Sequence, residues 1–536
     1  MNLFKNYSFF IFFFLTIIFG IIIFSPYTNF QYYLAQGDHG RELYAFEAVL
    51  RGEIPYKDFW WDYGPLMTYY YAIFFKILGI QIPSILFGKI LLNIACGVFC
   101  YLAISEILFP AAAFVASLWL MCFQQDFLYT YNHIGGIALI FACIWMHFAY
   151  IRHSRIGSAY TALGLVFLLG LVKVNFGVIA LLMTILTVNV FDRIHLIPFN
   201  KEKQLFYMTA LFLPLIWMII YYCMTYGLTL VDILECFPYF KGYETHHYPS
   251  FKQTIPPLYN QYLNPIHTNH MLYVVALIIF ICLLRNILIL FINKNNSLKK
   301  TEELFLVIYA ALFYLLNLHE YLLSGLLYRS YWSQPLGILL CALIIIIALK
   351  ESPVFFKWMI WIFFIIVCLL HIKQNTNEIR AFKTPEHFLN LPKTNVYTRN
   401  DLNWFQTVKQ TTSFINRTLK KEDLFFALPY DCLYYYLTNK RSPTRQLIFF
   451  ERFRIPKEQE QEVISELLHK HVKMVLISSR QSTKLPGCGI FGKTYCPTLY
   501  HFIAEKYYPI AQFGEWKRPS EWIFNHGTIL LKLKDQ

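Results

Sequence analysis

Apolar runs long enough to cross a bilayer leave a chain few ways to fold, and this sequence is built from them. The first run is unbroken from about Phe9 to Phe24, and from Pro65 to His371 the chain is mostly apolar. Candidate spans after the first are 65–80, 82–108, 109–124, 133–151, 157–173, 174–191, 205–225, 271–293, 303–318, 333–349 and 354–372. Each approaches the ~20 residues that a bilayer requires, some falling short. Lys5 precedes the first run and no small-residue cleavage site follows it, so it reads as an uncleaved first transmembrane helix. Composition agrees: 57% of residues are hydrophobic and 15% charged, against roughly 45–50% and 25% in soluble domains. A soluble enzyme, a disordered chain and a fibrous protein are thereby excluded. The net charge of +14 fits Lys and Arg in cytoplasmic loops and at phosphate contacts. No basic run with interleaved aromatics points to nucleic acid.

Charge orients the spans. The short loops 152–155, 192–203, 293–300 and 350–353 are basic or carry Lys, which places them with the N-terminus in the cytoplasm. The connections 25–64, 226–270 and 319–332, and everything after 372, then lie outside. Twelve full crossings would return the C-terminus to the cytoplasm. The short segment 65–80, flanked by Gly64 and Gly79, is therefore expected not to cross, which leaves eleven spans in a range of about 11–13. After 372 charges return. Helical patterns at 401–420 and 457–471 alternate with strand patterns at 424–428, 472–478 and 528–534, which predicts a small α/β domain. The expected architecture is an α-helical polytopic membrane protein, residues 1–372, followed by an extracytoplasmic α/β domain, residues 373–536.

Most polar residues that suggest chemistry fall on the outer side. The first outer loop carries Asp38, His39, Arg41, Arg51, Lys57, Asp58 and Asp62. Apolar residues at 43, 46, 49 and 50 predict a short helix along the membrane surface, with Asp38 as its N-cap and Gly52 and Pro55 ending it. On these residues alone, a helix cap at Asp38 and solvated carboxylates at Asp58 and Asp62 explain the loop as well as catalysis does.

A carboxylate just after the first span, a surface helix, then Gly52, Pro55-Tyr56-Lys57-Asp58 and Gly64-Pro65-Leu66 resembles the GT-C superfamily. These are polytopic glycosyltransferases that use polyprenyl-phosphate-linked sugars. Protein O-mannosyltransferases, lipid A aminoarabinose transferases and rhizobial lipopolysaccharide core transferases belong to it. The resemblance covers about thirty residues by motif and the rest by layout. It implies a GT-C-type bundle in the bacterial inner membrane, with an active site facing the exterior. It makes Asp38 the general base and Asp58 a second catalytic residue. His39 stands where many relatives have Glu, so a two-carboxylate site does not carry over. The partners implied are a polyprenyl-phosphate sugar donor, a glycan, lipid or protein acceptor, and membrane lipids. No cofactor is implied; a divalent metal is compatible but not indicated.

The chemistry suits these residue types. An acceptor hydroxyl must lose a proton as it attacks the anomeric carbon, and one carboxylate can take it. The phosphate leaving group needs positive charge. Arg41, Arg51 and Lys57 supply it in the first loop, and Lys173 ends a span near the outer face, where it either binds phosphate or snorkels. Glu320 and Arg329 form a second polar cluster on the same side. His39, Tyr56 and Asp62 complete the expected substrate contacts. His246-His247, His267 and His270 lack a carboxylate at ligand spacing and read as structural; their loop reads as a cover for the lipid donor. Lys89, inside an apolar span, either snorkels or pairs with Glu106. Cys488 and Cys496 fit a disulfide or two free thiols equally. Two other functions fit the sequence less well. A transporter or flippase for lipid-linked saccharides should show internal repeats and mid-membrane charge, and neither is present. A non-enzymatic envelope-assembly protein leaves the clustered Asp, Lys and Tyr of the first loop without a reason.

Overall fold

Backbone groups in hydrocarbon must satisfy one another, so each apolar run closes into a helix. The computed structural model describes residues 2–123, 131–230, 233, 298–324, 327–350, 352–453, 455–482, 488–518 and 525–534. The membrane part contains α1 (Asn2–Phe24), α3 (Leu66–Leu78), α4 (Ile82–Ile107), α5 (Pro110–Phe123), α6 (Asn132–His153), α7 (Ile156–Val172), α8 (Val174–Ile194), α9 (Lys201–Thr225), α10 (Leu298–Asn317), α12 (Gln334–Leu349) and α13 (Val354–Phe382). Between them lie α2 (Asp38–Leu50) and α11 (His319–Ser324). Six of these helices are long and apolar enough to cross a membrane, and four are shorter apolar helices. The chain is an integral, multi-pass membrane protein. Proline sets several boundaries: it occupies the first turn of α4 and α12 and opens α5, where its missing N–H is harmless. The expected span 271–293, most of loop 226–270 and its four His residues lie outside the described residues.

Helix α3 is anchored at both ends. At its start the Gly64 amide donates to the Val172 carbonyl (2.9 Å), at the end of α7. Just past its other end, the Ile82 amide donates to the Lys393 carbonyl (2.9 Å), in the C-terminal region. Helix α3, one of the shorter apolar helices, is thus tied at its start to the end of α7 and just past its other end to the C-terminal region. At the end of α4 Glu106 meets His153 (3.1 Å) and the Trp145 indole (3.2 Å). Lys89, at the other end of α4, stands instead over the Tyr131 ring (5.3 Å), so it does not pair with Glu106.

The last bundle helix, α13, runs past residue 372 to Phe382 and delivers the chain to the domain. There β4 (Phe425–Leu428), β5 (Met474–Ser478), β7 (Gly527–Leu533) and β6 (Tyr507–Gly514) form one sheet in that order. The β4–β5 pair is parallel and the rest antiparallel. Helices α14 (Leu402–Thr418), α15 (Leu433–Thr438), α16 (Lys457–His469) and α17 (Pro497–Lys506) accompany it. Cys488 and Cys496 are buried and unbonded. A second small sheet joins the domain to the first loop: β1 (Phe30–Gln31) pairs in parallel with β3 (Val396–Thr398), which also pairs with β2 (Phe388–Leu389).

This junction corrects the expectation for α2. The helix begins at Asp38, with Gly37 as its N-cap, so Asp38 is its first residue and not the cap. Nor does it lie exposed on the membrane surface, since every residue from His39 to Ala48 is buried. It is pressed between α3 and the domain's α15. A Cβ on Gly40 would stand 2.2 Å from the Leu433 backbone nitrogen, and one on Gly37 would stand 2.4 Å from the Tyr430 ring. The two glycines flanking Asp38 therefore let the domain close over it.

Candidate active site

The polar residues that made α2 look amphipathic are satisfied inside the protein, as buried charges must be. Glu47 pairs with Lys393 (2.7 Å). Arg41, 3% exposed, pairs with Asp62 (2.8 Å), and its guanidinium lies 5.2 Å from the rings of Trp60, Trp61 and Tyr63. Burial disfavours its charge, but Asp62, Tyr430 and Asp38 more than compensate. Asp38 is half-buried, and the Tyr430 hydroxyl of the C-terminal domain donates to its Oδ1 (2.9 Å).

A second cluster lies beyond Tyr63. The break between α7 and α8 places Lys173 with an extended backbone, ending one helix and starting the next. Its ammonium donates to Glu320 Oε1 (2.6 Å) and to His133 Nε2 (3.2 Å). Asn175 donates to the same Glu320 oxygen (2.6 Å). The His133 ring stacks on Trp332 at 3.9 Å. Burial alone would raise the Glu320 carboxyl, but Lys173, His133 and Arg329 hold it well below the usual carboxylate range. Tyr63 joins the clusters: Arg41 lies 5.2 Å from its ring, His133 5.3 Å and Lys173 5.8 Å. Asp38, Asp62, Tyr63, Asn175, His319 and Arg329 are each only half-buried. They form the accessible side of an otherwise buried polar array.

Some expected contacts fall elsewhere. The His39 ring is buried and accepts the Ala35 amide at Nδ1 (3.0 Å), so it is occupied in holding the start of α2. Tyr56, at φ 71°, is buried and donates its hydroxyl to the Tyr63 carbonyl; it shapes the loop. Lys57 and Asp58 are exposed. Asp58 closes a turn, accepting the Ile54 amide at Oδ2 (2.6 Å) while its own amide donates to the Ile54 carbonyl (2.9 Å). Arg51 is engaged with Glu53 (2.8 Å). Among the described residues no group of three or more His, Cys, Asp and Glu is placed to hold a metal ion.

Glu42 belongs to the array but gave no sign of it in the sequence. Its carboxyl is fully buried and accepts the amides of Tyr131 (3.2 Å) and Asn132 (3.4 Å), at the N-terminus of α6. Burial, opposed by Arg41 and these amides, raises it to about 8. The unfolded chain carries an ordinary carboxyl near ~4.3. Folding therefore takes up a proton between those values, and stability falls as pH rises from about 4 to about 8. Gln keeps one of the two acceptor oxygens and lacks the charge. Glu42→Gln should lie nearest the wild type in thermal stability at about pH 4 and gain on it increasingly up to about pH 8, by roughly 1.4 kcal/mol per pH unit at most. Melting curves of purified protein that stay parallel across this range would contradict the assignment.

No family model and no curated protein sequence matches the chain. Solved structures do. ArnT from Cupriavidus metallidurans, bound to undecaprenyl phosphate, aligns over 96% of this chain and 97% of its own, with TM-score 0.55 and 11% identity. The oligosaccharyltransferase of Archaeoglobus fulgidus, in complex with Zn and sulfate, aligns over 88% of this chain and 68% of its own, with TM-score 0.50 and 12% identity. At such identity the likeness is one of fold. The chain is a polytopic membrane protein with the GT-C fold, the architecture its first-loop motifs resemble.

Proposed function

We propose that the protein is a membrane glycosyltransferase that moves a sugar from a polyprenyl-phosphate-linked donor to an extracytoplasmic acceptor in the bacterial inner membrane. The acceptor is a cell-envelope glycan, lipid or protein. One observation carries the reading: the half-buried carboxylate Asp38 and the buried cation Lys173 belong to one polar array, in which Asp38 acts on Arg41 and Tyr63, Arg41 and Lys173 both face the Tyr63 ring, and the half-buried Arg329 acts on Glu320, the partner of Lys173. A transfer site needs this pairing of base and phosphate charge, and the fold shared with a protein solved with undecaprenyl phosphate supports it.

In the proposed reaction the acceptor hydroxyl attacks the anomeric carbon of the donor. Asp38 takes its proton as the new C–O bond forms. The bond from that carbon to the phosphate oxygen breaks, and the polyprenyl phosphate leaves with the electron pair. Lys173 and Arg329 stabilise the charge that accumulates there. Two of the three Lys173 donors are already used, by Glu320 and His133, which leaves one for phosphate. Asp62 fixes Arg41, and Asp58 holds the loop turn. The domain face, with residues 25–64, then faces the periplasm.

The test is transfer by purified protein in vesicles supplied with a panel of polyprenyl-phosphate sugars and envelope extract as acceptor. The expected result is release of polyprenyl phosphate matched by new glycosylated acceptor. Passage of intact donor across the bilayer without cleavage would overturn the reading in favour of a flippase.

A further inference from the structure

We infer that Tyr430 is a positioning residue through which the C-terminal domain becomes part of the active site, its hydroxyl aiming the Asp38 carboxylate at the acceptor. This rests on the reading of Asp38 as the base. The two residues are 392 positions apart, and their 2.9 Å bond is a polar link from the domain to the carboxylate.

The phenol is built into place. Its ring packs against Gly37, where a Cβ would stand 2.4 Å away. The Arg480 guanidinium lies 5.7 Å from the ring and donates to the Tyr430 carbonyl. Arg480 is held by Asp431 (3.2 Å), both almost fully buried. Asp431 in turn accepts from the Asn525 side chain. The Asn525 amide donates to Gln36 Oε1 (3.2 Å), and the Leu433 amide to the Gln36 carbonyl (3.0 Å), two residues before Asp38. A closed chain of buried polar bonds therefore runs from the loop preceding Asp38, through the domain, and back to Asp38 itself. Buried networks of this kind rigidify what they hold. A domain used only to capture an acceptor has no need of a buried ion pair behind a tyrosine that points at the base. Burial pushes the phenol well up, with Arg41 opposing, so it stays protonated and keeps the hydrogen it donates to Asp38. Such a donor favours the ionised carboxylate and fixes which oxygen remains for the incoming hydroxyl.

Tyr430→Phe removes the donor and keeps the ring against Gly37. The expected outcome is a kcat lower by roughly 10–100-fold, with donor KM within about twofold because no substrate contact is lost. The acid limb of the pH–rate profile should move up by roughly half a unit to one unit. 3-Fluorotyrosine at position 430, a stronger donor of nearly the same size, should restore kcat and return the limb to the wild-type pH or below. Tyr430→Phe in an Asp38→Asn background should cost nothing more, since the phenol acts through the carboxylate. Wild-type kcat and pH profile in Tyr430→Phe, with wild-type transfer intact and Asp38→Asn inactive, would overturn the inference and leave the proposed function standing. A further loss in the Asp38→Asn background would also overturn it, by revealing a role independent of the base. Absence of transfer by the wild type would overturn both.

Discussion

Asp38→Asn is expected to cut sugar transfer by roughly 10²–10⁴-fold, the usual contribution of a general base, while the protein stays folded. Asn has the same shape and offers Tyr430 the same acceptor, so the bond to the C-terminal domain survives. What folding loses is one negative charge in the first turn of α2, where Asp38 is the first helical residue. That interaction is worth roughly 0.3–1 kcal/mol. Asp58→Asn is the comparison. Asp58 is exposed and closes the Ile54–Asp58 turn, so its loss should lower activity by a smaller factor, through the loop. If Asp58→Asn abolishes transfer and Asp38→Asn spares it, the two roles are exchanged. If both keep full activity, the first loop is not the catalytic site.

Lys173→Met should have the second-largest effect, and its cause can be divided. Lys173 and Glu320 are 8% and 4% exposed. Removing one partner of a buried pair strands the other charge and costs roughly 3–5 kcal/mol, so the single variant should express poorly. Lys173→Met with Glu320→Gln removes both charges and should recover most of the stability. A charge-assisted hydrogen bond contributes about 1.5–3 kcal/mol. If Lys173 holds phosphate, the double variant should still bind polyprenyl phosphate at least about tenfold more weakly. Native mass spectrometry or a vesicle-binding assay reads this directly. A stable double variant with unchanged affinity would make the pair purely structural.

The membrane part was readable in the sequence because one force shapes it. Apolar length and proline punctuation place most helix ends within a few residues, although α13 runs on from the expected 372 to Phe382. The domain's expected strands at 424–428 and 472–478 match β4 and β5 closely, since buried strands leave continuous apolar runs. Polar residues were harder. Arg41, Glu42 and Glu47 look like the wet side of a surface helix, and each is buried with a partner supplied by a distant segment: Asp62, the start of α6, and Lys393. No local pattern reveals that. A lysine at a span end that does not snorkel needs an anionic partner, and Glu320 stands on the same expected side in the sequence, so that pair was within reach. Tyr430 was not, because an ordinary tyrosine beside Asp431 announces nothing until the domain folds back onto Gly37.

The most direct measurement is a structure of the protein with polyprenyl phosphate bound. The phosphate is expected beside Lys173 and Arg329, with the sugar's anomeric carbon directed toward Asp38. Among the described residues, other places also offer a lipid phosphate room. One is the cavity of about 370 Å³ where α1, α5 and α13 end, lined by Tyr27, Tyr32, His371 and Arg399. Another is the opposite face, beside Asp192, Arg193 and Lys203. Phosphate density at either, with the Lys173 site empty, would contradict the account.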